Sequence, residues 1–161
     1  MNTTNNTNTM NVNNMNTTEL IETYVSVYYA RNNEEKAILR SACREELEKR
    51  FKEEFSINER GDFDNMTEDD VRQTEAYKYA YADIDDMDWS YSDWSTNYCI
   101  LGDYFDERDI VYDVADCTMI PKEVVWIAFE DFKKNNPYCI ELAEKYADNG
   151  FQPIEDEEDY D

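Results

Sequence analysis

Carboxylates are the residues in this chain whose number and spacing could do chemistry. Between Asp62 and Asp116 stand 17 Asp and Glu against Arg72, Lys78 and Arg108, and the stretch from Tyr77 to Cys117 interleaves its acids with Tyr, Trp and Phe. Such side chains could chelate a cation, transfer protons, or present charge to a partner. Chelation needs ligand spacing. Asp83, Asp85, Asp86 and Asp88 put four carboxylates within six residues, but a calcium loop also needs a turn glycine and a closing bidentate glutamate. Counted from Asp86, Tyr91 takes the place of that glycine and Asn97 that of the glutamate; counted from Asp83, Met87 replaces an oxygen ligand. The chain contains no His, which removes the commonest zinc ligand and general base.

Catalysis finds no better footing. Gly61, Gly102 and Gly150 are isolated, so no glycine-rich phosphate loop exists. A nucleophilic Ser, Cys or Thr would lack its usual activating base. The 39 acidic residues offer many carboxylate pairs for glycoside or two-metal chemistry, and for that reason no pair stands out. The expectation is a protein that is not an enzyme, with no catalytic residues, no metal and no cofactor.

The remaining use of the carboxylates is as a charged surface. The net charge is −24, and it is uneven. Residues 1–18 carry none, residues 19–60 hold 10 acidic and 8 basic side chains, and residues 61–161 hold 29 acidic and 7 basic. A general adaptation to salt would coat the whole surface, whereas this asymmetry favours one specialised face. A body this negative repels nucleic acid and anionic lipid, so its natural partners are basic proteins or metal cations. No run of 18 apolar residues exists, and the opening MNTTNNTNTMNVNN has neither a basic start nor an apolar core. A cytoplasmic protein is expected, with no membrane partner. Cys43, Cys99, Cys117 and Cys139 form no CxxC pair and read as reduced, mostly buried thiols.

The elements that must position these charges read as helices. Only three Gly and three Pro punctuate 161 residues. The fold class is mainly α: a single compact domain of about five to six helices over 18–150, with a disordered Asn/Thr-rich tail at 1–17 and an acidic tail at 151–161. Thr18 and Asn33 are the candidate caps of the first two helices. Leu39, Cys43, Leu47, Phe51 and Phe55 make an apolar stripe along the second. Its REELEKRFKEEF run mixes Arg and Lys among the acids, which suits a solvated exterior rather than a metal cluster. Thr67 to Asp70 fits a capping box ahead of residues 71–84. Tyr77, Tyr79 and Tyr81 alternate there as in a strand, but the cap favours a helix. Trp94, Tyr98, Leu101 and Phe105 follow helical spacing. Ile110, Val111, Val114 and Ala115 then face inward and leave Asp106, Asp109, Asp113 and Asp116 outside. Pro121 opens a further helix burying Val125, Ala128, Phe129 and Phe132. Asn135-Asn136-Pro137 starts the last one, whose inner face includes Tyr138, Leu142, Ala143 and Tyr146.

Carboxylates on an exposed helix face recur at about 4.5–6 Å along its axis, against about 3.4 Å between phosphates along one DNA strand. The Asp/Glu-dense runs DIDDMD, DYFDERD and EDEEDYD give residues 62–161 a texture that resembles phage and mobile-element proteins that mimic DNA, of the antirestriction and anti-CRISPR type. The resemblance implies a non-catalytic inhibitor that occupies the nucleic-acid groove of a basic host defence nuclease without touching nucleic acid itself. The partner-binding residues would be Asp83, Asp85, Asp86, Asp88 and Asp93, followed by Asp103, Asp106, Glu107, Asp109, Asp113 and Asp116. The charge-balanced N-terminal helices would sit outside that surface. Two other readings stand beside it. One is an acidic adaptor or structural protein that binds a basic partner through Trp89, Trp94 or apolar helix faces. The other is a metal-dependent helical hydrolase.

Overall fold

Helical periodicity carries through into three dimensions. The computed structural model describes residues 12–30, 33–87 and 107–148. Seven helices follow one another among them: α1 (Thr17–Val27), α2 (Glu34–Glu54), α3 (Glu68–Arg72), α4 (Glu75–Asp85), α5 (Glu107–Thr118), α6 (Lys122–Asn135) and α7 (Pro137–Asp148). Among the described residues the β structure amounts to one isolated antiparallel bridge, Ile57 with Phe63. The fold is mainly α. The tail residues 1–11 and 149–161 and the helix expected over Trp94–Phe105 lie outside the described residues.

Side chains fix where the helices begin. Asn33 accepts from the backbone N–H of Lys36 at 3.0 Å and opens α2. Thr67 and Asp70 form the expected reciprocal cap of α3. The segment 71–84 is helical, but in two pieces, because Thr74 caps α4 afresh through Tyr77 N–H. α1 starts earlier than Thr18 suggested. Asn16 is its cap and pairs reciprocally with Glu19, while the Thr18 N–H and hydroxyl both donate to Glu75 at 2.9 and 3.0 Å, tying α1 to α4. The tail is shorter than expected for the same reason. Residues 12–14 form a helical turn, Val12 is buried, and Arg50 of α2 donates to the Asn13 carbonyl at 3.2 Å. Pro121, expected as the first helical residue of α6, is instead its N-cap, and the helix begins one position later at Lys122.

The core gathers one stripe from each helix. Leu20, Ile21 and Tyr24 of α1 meet Cys43, Leu47 and Phe51 of α2. Ala76, Ala80 and Ile84 of α4 pack on Val125, Ala128, Phe129 and Phe132 of α6, the central helix, which also touches α3, α5 and α7. Ile110, Val111 and Val114 of α5 close the set as the spacing predicts. Tyr138 departs from its expected inward position and is 71% exposed, while the side chains of Leu142, Ala143 and Tyr146 lie outside the described residues.

Two turns require left-handed backbone. Gly61 (φ 85°) reverses the chain between Ile57 and Phe63, past the end of α2. A Cβ there would meet nothing closer than Glu123 at 3.7 Å. Gly61→Ala is therefore expected to cost about 1 kcal/mol from backbone conformation alone, read by chemical denaturation; a cost near zero would show that the turn relaxes. Met119 (φ 67°) takes the same conformation between α5 and α6. Thr118 holds it there, its hydroxyl donating to the Val114 carbonyl at 2.6 Å and accepting from Ile120 N–H at 3.2 Å.

Candidate interaction surface

Asp83, Asp85 and Asp86 occupy the C-terminal end of α4, and Asp116 lies in the last turn of α5. A helix C-terminus carries partial negative charge, so cations are the stabilising choice there. α6 follows that rule with Lys133 and Lys134, whereas α2 sets Lys52 beside Glu53 and Glu54 and α1 has no cation in its last turn. The last turns of α4 and α5 contain no basic residue at all. Both helices break the rule where they come together.

The tertiary structure sorts the predicted acids into three groups. Asp83 faces α5 across the α4–α5 contact, and burial together with the charges of Asp113 and Asp86 pushes its carboxyl above the ordinary range. Asp113 is raised as well, by partial desolvation and by Asp116 three residues on. Among the described residues, no ion pair reaches Asp83, Asp86, Asp113 or Asp116. These four form one unneutralised face. Asp85 points elsewhere: its charge is felt by Cys139 at the start of α7. Glu107 is neutralised internally, bound to Lys133 at 2.9 Å. The Asp109 side chain and Asp88, Asp93, Asp103 and Asp106 lie outside the described residues, as do Trp89 and Trp94.

Tyrosines border the face, and two of them come from the N-terminal region expected to sit outside it. Tyr28 and Tyr29, just beyond α1, reach α5, where burial and the charges of Cys117, Asp116 and Asp113 raise Tyr28. The Tyr29 hydroxyl lies 4.0 Å from the Cys117 sulfur. Burial and the charges of Asp113, Asp116 and Asp83 push the Cys117 thiol up, against the Tyr29 contact, so it is a poor nucleophile. Cys43 is buried and raised to about 11 by burial alone. The expectation of free thiols holds for Cys43, Cys117 and Cys139.

Asp131, outside the expected set, is the most heavily bonded carboxylate among the described residues. Arg72 donates to it through Nε at 2.8 Å and Nη2 at 3.3 Å, and the Tyr77 hydroxyl donates at 2.6 Å. Those donors hold its carboxyl below the usual range despite burial, and together they lock α3 and α4 to α6. No sequence spacing joins positions 72, 77 and 131, so no local signal existed. Among the described residues no three Asp, Glu, Cys or His side chains gather as a metal-holding group, and no helix is long and apolar enough to cross a membrane.

No family model, curated protein or solved structure matches the chain.

The opposed carboxyl shifts predict a pH dependence. A raised carboxyl binds more protons folded than unfolded, so Asp83 and Asp113 contribute stability that is full below about pH 4, the unfolded range, and is lost as pH rises through their higher folded values. Asp131 acts oppositely, contributing above the unfolded range and failing as pH falls through its lowered value. The Tm is therefore expected to rise as pH is lowered from 7 toward 5. Asp83→Asn with Asp113→Asn should raise the Tm at pH 7 and flatten that rise. An unchanged slope in thermal scans would show that the two carboxylates do not repel.

Proposed function

We propose that the protein is a non-catalytic inhibitor that presents a rigid polyanionic face to the nucleic-acid groove of a basic protein, such as a nuclease of host defence. One observation carries this reading: Asp83, Asp86, Asp113 and Asp116 lie together with no ion pair among the described residues, and all but Asp113 stand at the ends of α4 and α5, where local energetics favour positive charge. A purely structural surface would have relieved that repulsion with Lys or Arg, as α6 does. Positions that break a local rule without compensation within the fold are where function is expected. Helices hold these charges in place, so binding does not have to order a loose acidic segment.

The test is capture of basic nucleic-acid enzymes on the immobilised protein at low salt, with elution by salt and by free duplex DNA. DNA-displaceable binding, together with loss of nuclease activity on adding the protein, supports the proposal. Capture that ignores both salt and duplex DNA removes it, because a polyanion surrogate must compete with the polyanion.

A further inference from the structure

The face is not made of carboxylates alone, and its other component points to the kind of cation it accepts. Tyr112, Asp116, Asp113 and Cys117 follow one another across about 140° of the α5 surface, at about 100° per residue. Tyr112 is 47% exposed at one border. At the other, against Cys117, stands Tyr29, 68% exposed. Tyr29 is an exposed ring that does not swing freely. It meets Tyr28 edge-on (centroids 4.7 Å apart, planes at 89°), and Tyr28 meets the buried Tyr24 in the same way (5.7 Å, 77°). A ladder of rings thus anchors it to the core.

The chain's own cations already show what such rings attract. The Lys122 ammonium lies 5.8 Å from the centre of the Tyr112 ring, an intramolecular cation–π contact at the edge of the same face. Tyr29 has no such cation over its ring among the described residues. A planar guanidinium stacks on an aromatic ring and bonds a carboxylate through two parallel N–H groups at once, whereas an ammonium does neither as well. A carboxylate pair bordered by two exposed tyrosines, of which Tyr112 already holds Lys122, therefore favours arginine at Tyr29.

Resting on the polyanion reading above, we infer that this face selects arginine-bearing over lysine-bearing grooves, with Tyr29 as the specificity-determining ring. The partner is a basic protein surface whose contacting cations are arginines.

Octa-arginine and octa-lysine peptides of equal charge, titrated against the full chain by calorimetry at low salt, test this. The wild-type protein is expected to bind octa-arginine about tenfold more tightly, within the range of one or two cation–π contacts. Tyr29→Ala should lower that ratio about threefold or more with octa-lysine binding unchanged, and Tyr29→Phe, which keeps the ring, should restore it. Circular dichroism matching wild type would confirm folding, as expected for so exposed a side chain. A ratio near one in wild type, a ratio untouched by Tyr29→Ala, or a Tyr29→Phe variant as impaired as Tyr29→Ala each overturns the arginine selection while salt-sensitive binding of both peptides leaves the polyanion reading standing. Failure of both peptides to bind overturns both.

Discussion

Replacing Asp83, Asp86, Asp113 and Asp116 by Asn together is expected to make the protein more stable and its binding to a basic partner weaker by about 100-fold at low salt. The two effects share a cause. Each carboxylate sits near others of its kind and, for Asp83, Asp86 and Asp116, near the negative end of a helix dipole, so neutralising it relieves repulsion in the free protein. A charge of this kind contributes about 0.2–1 kcal/mol to a solvent-exposed pairing, and four of them at about 0.7 kcal/mol reach two orders of magnitude in affinity. The loss should shrink as salt rises, since screening already weakens the wild-type contact. Denaturation paired with affinity measured against salt separates the outcomes. A variant that is both destabilised and unchanged in binding would mean that these acids serve the fold, and the proposed function would fall with them. Asp85→Asn is the internal control: it lies on the other side of α4, and should leave binding nearly untouched.

Phe129→Ala is expected to cost about 3–5 kcal/mol, a large share of the roughly 5–15 kcal/mol that holds a domain of this size together. Phe129 is fully buried in α6, the helix against which α3, α4, α5 and α7 all pack. Its ring meets Trp126 edge-on at 6.3 Å, and the Lys133 ammonium lies 5.2 Å from its centre. Because Lys133 also holds Glu107, the cavity would loosen the anchor of the α5 N-terminus as well as remove apolar contact. Tyr138→Ala, in the neighbouring α7 but 71% exposed, should change stability by less than about 0.5 kcal/mol. Denaturant unfolding of both variants checks the contrast; equal losses would mean that α7 is packed more deeply than its exposed face indicates.

Much of the architecture was legible in the residues because helices are local. The four-residue stripe of Cys43, Leu47, Phe51 and Phe55, the Thr67–Asp70 cap and the Ile110–Val111–Val114 face all depend on spacing within a turn or two, and all appear in the fold. The break at Thr74 and the early start at Asn16 were harder to see. Both turn on a single cap competing with a nearby alternative, and in α1 the alternative, Thr18, is engaged by Glu75.

Composition determined by itself that residues 61–161 would be strongly acidic and that the chain would fold as helices. Which acids remain free was decided only by tertiary structure. Periodicity treats Glu107, Asp113 and Asp85 alike, yet packing gives Glu107 a lysine from α6, turns Asp85 toward α7, and sets Asp113 against Asp83. It also brings Tyr29, just beyond α1, to the rim of the acidic face. Charge is additive along a chain, but its neutralisation is pairwise and falls off within ångströms, so it depends on which helices touch.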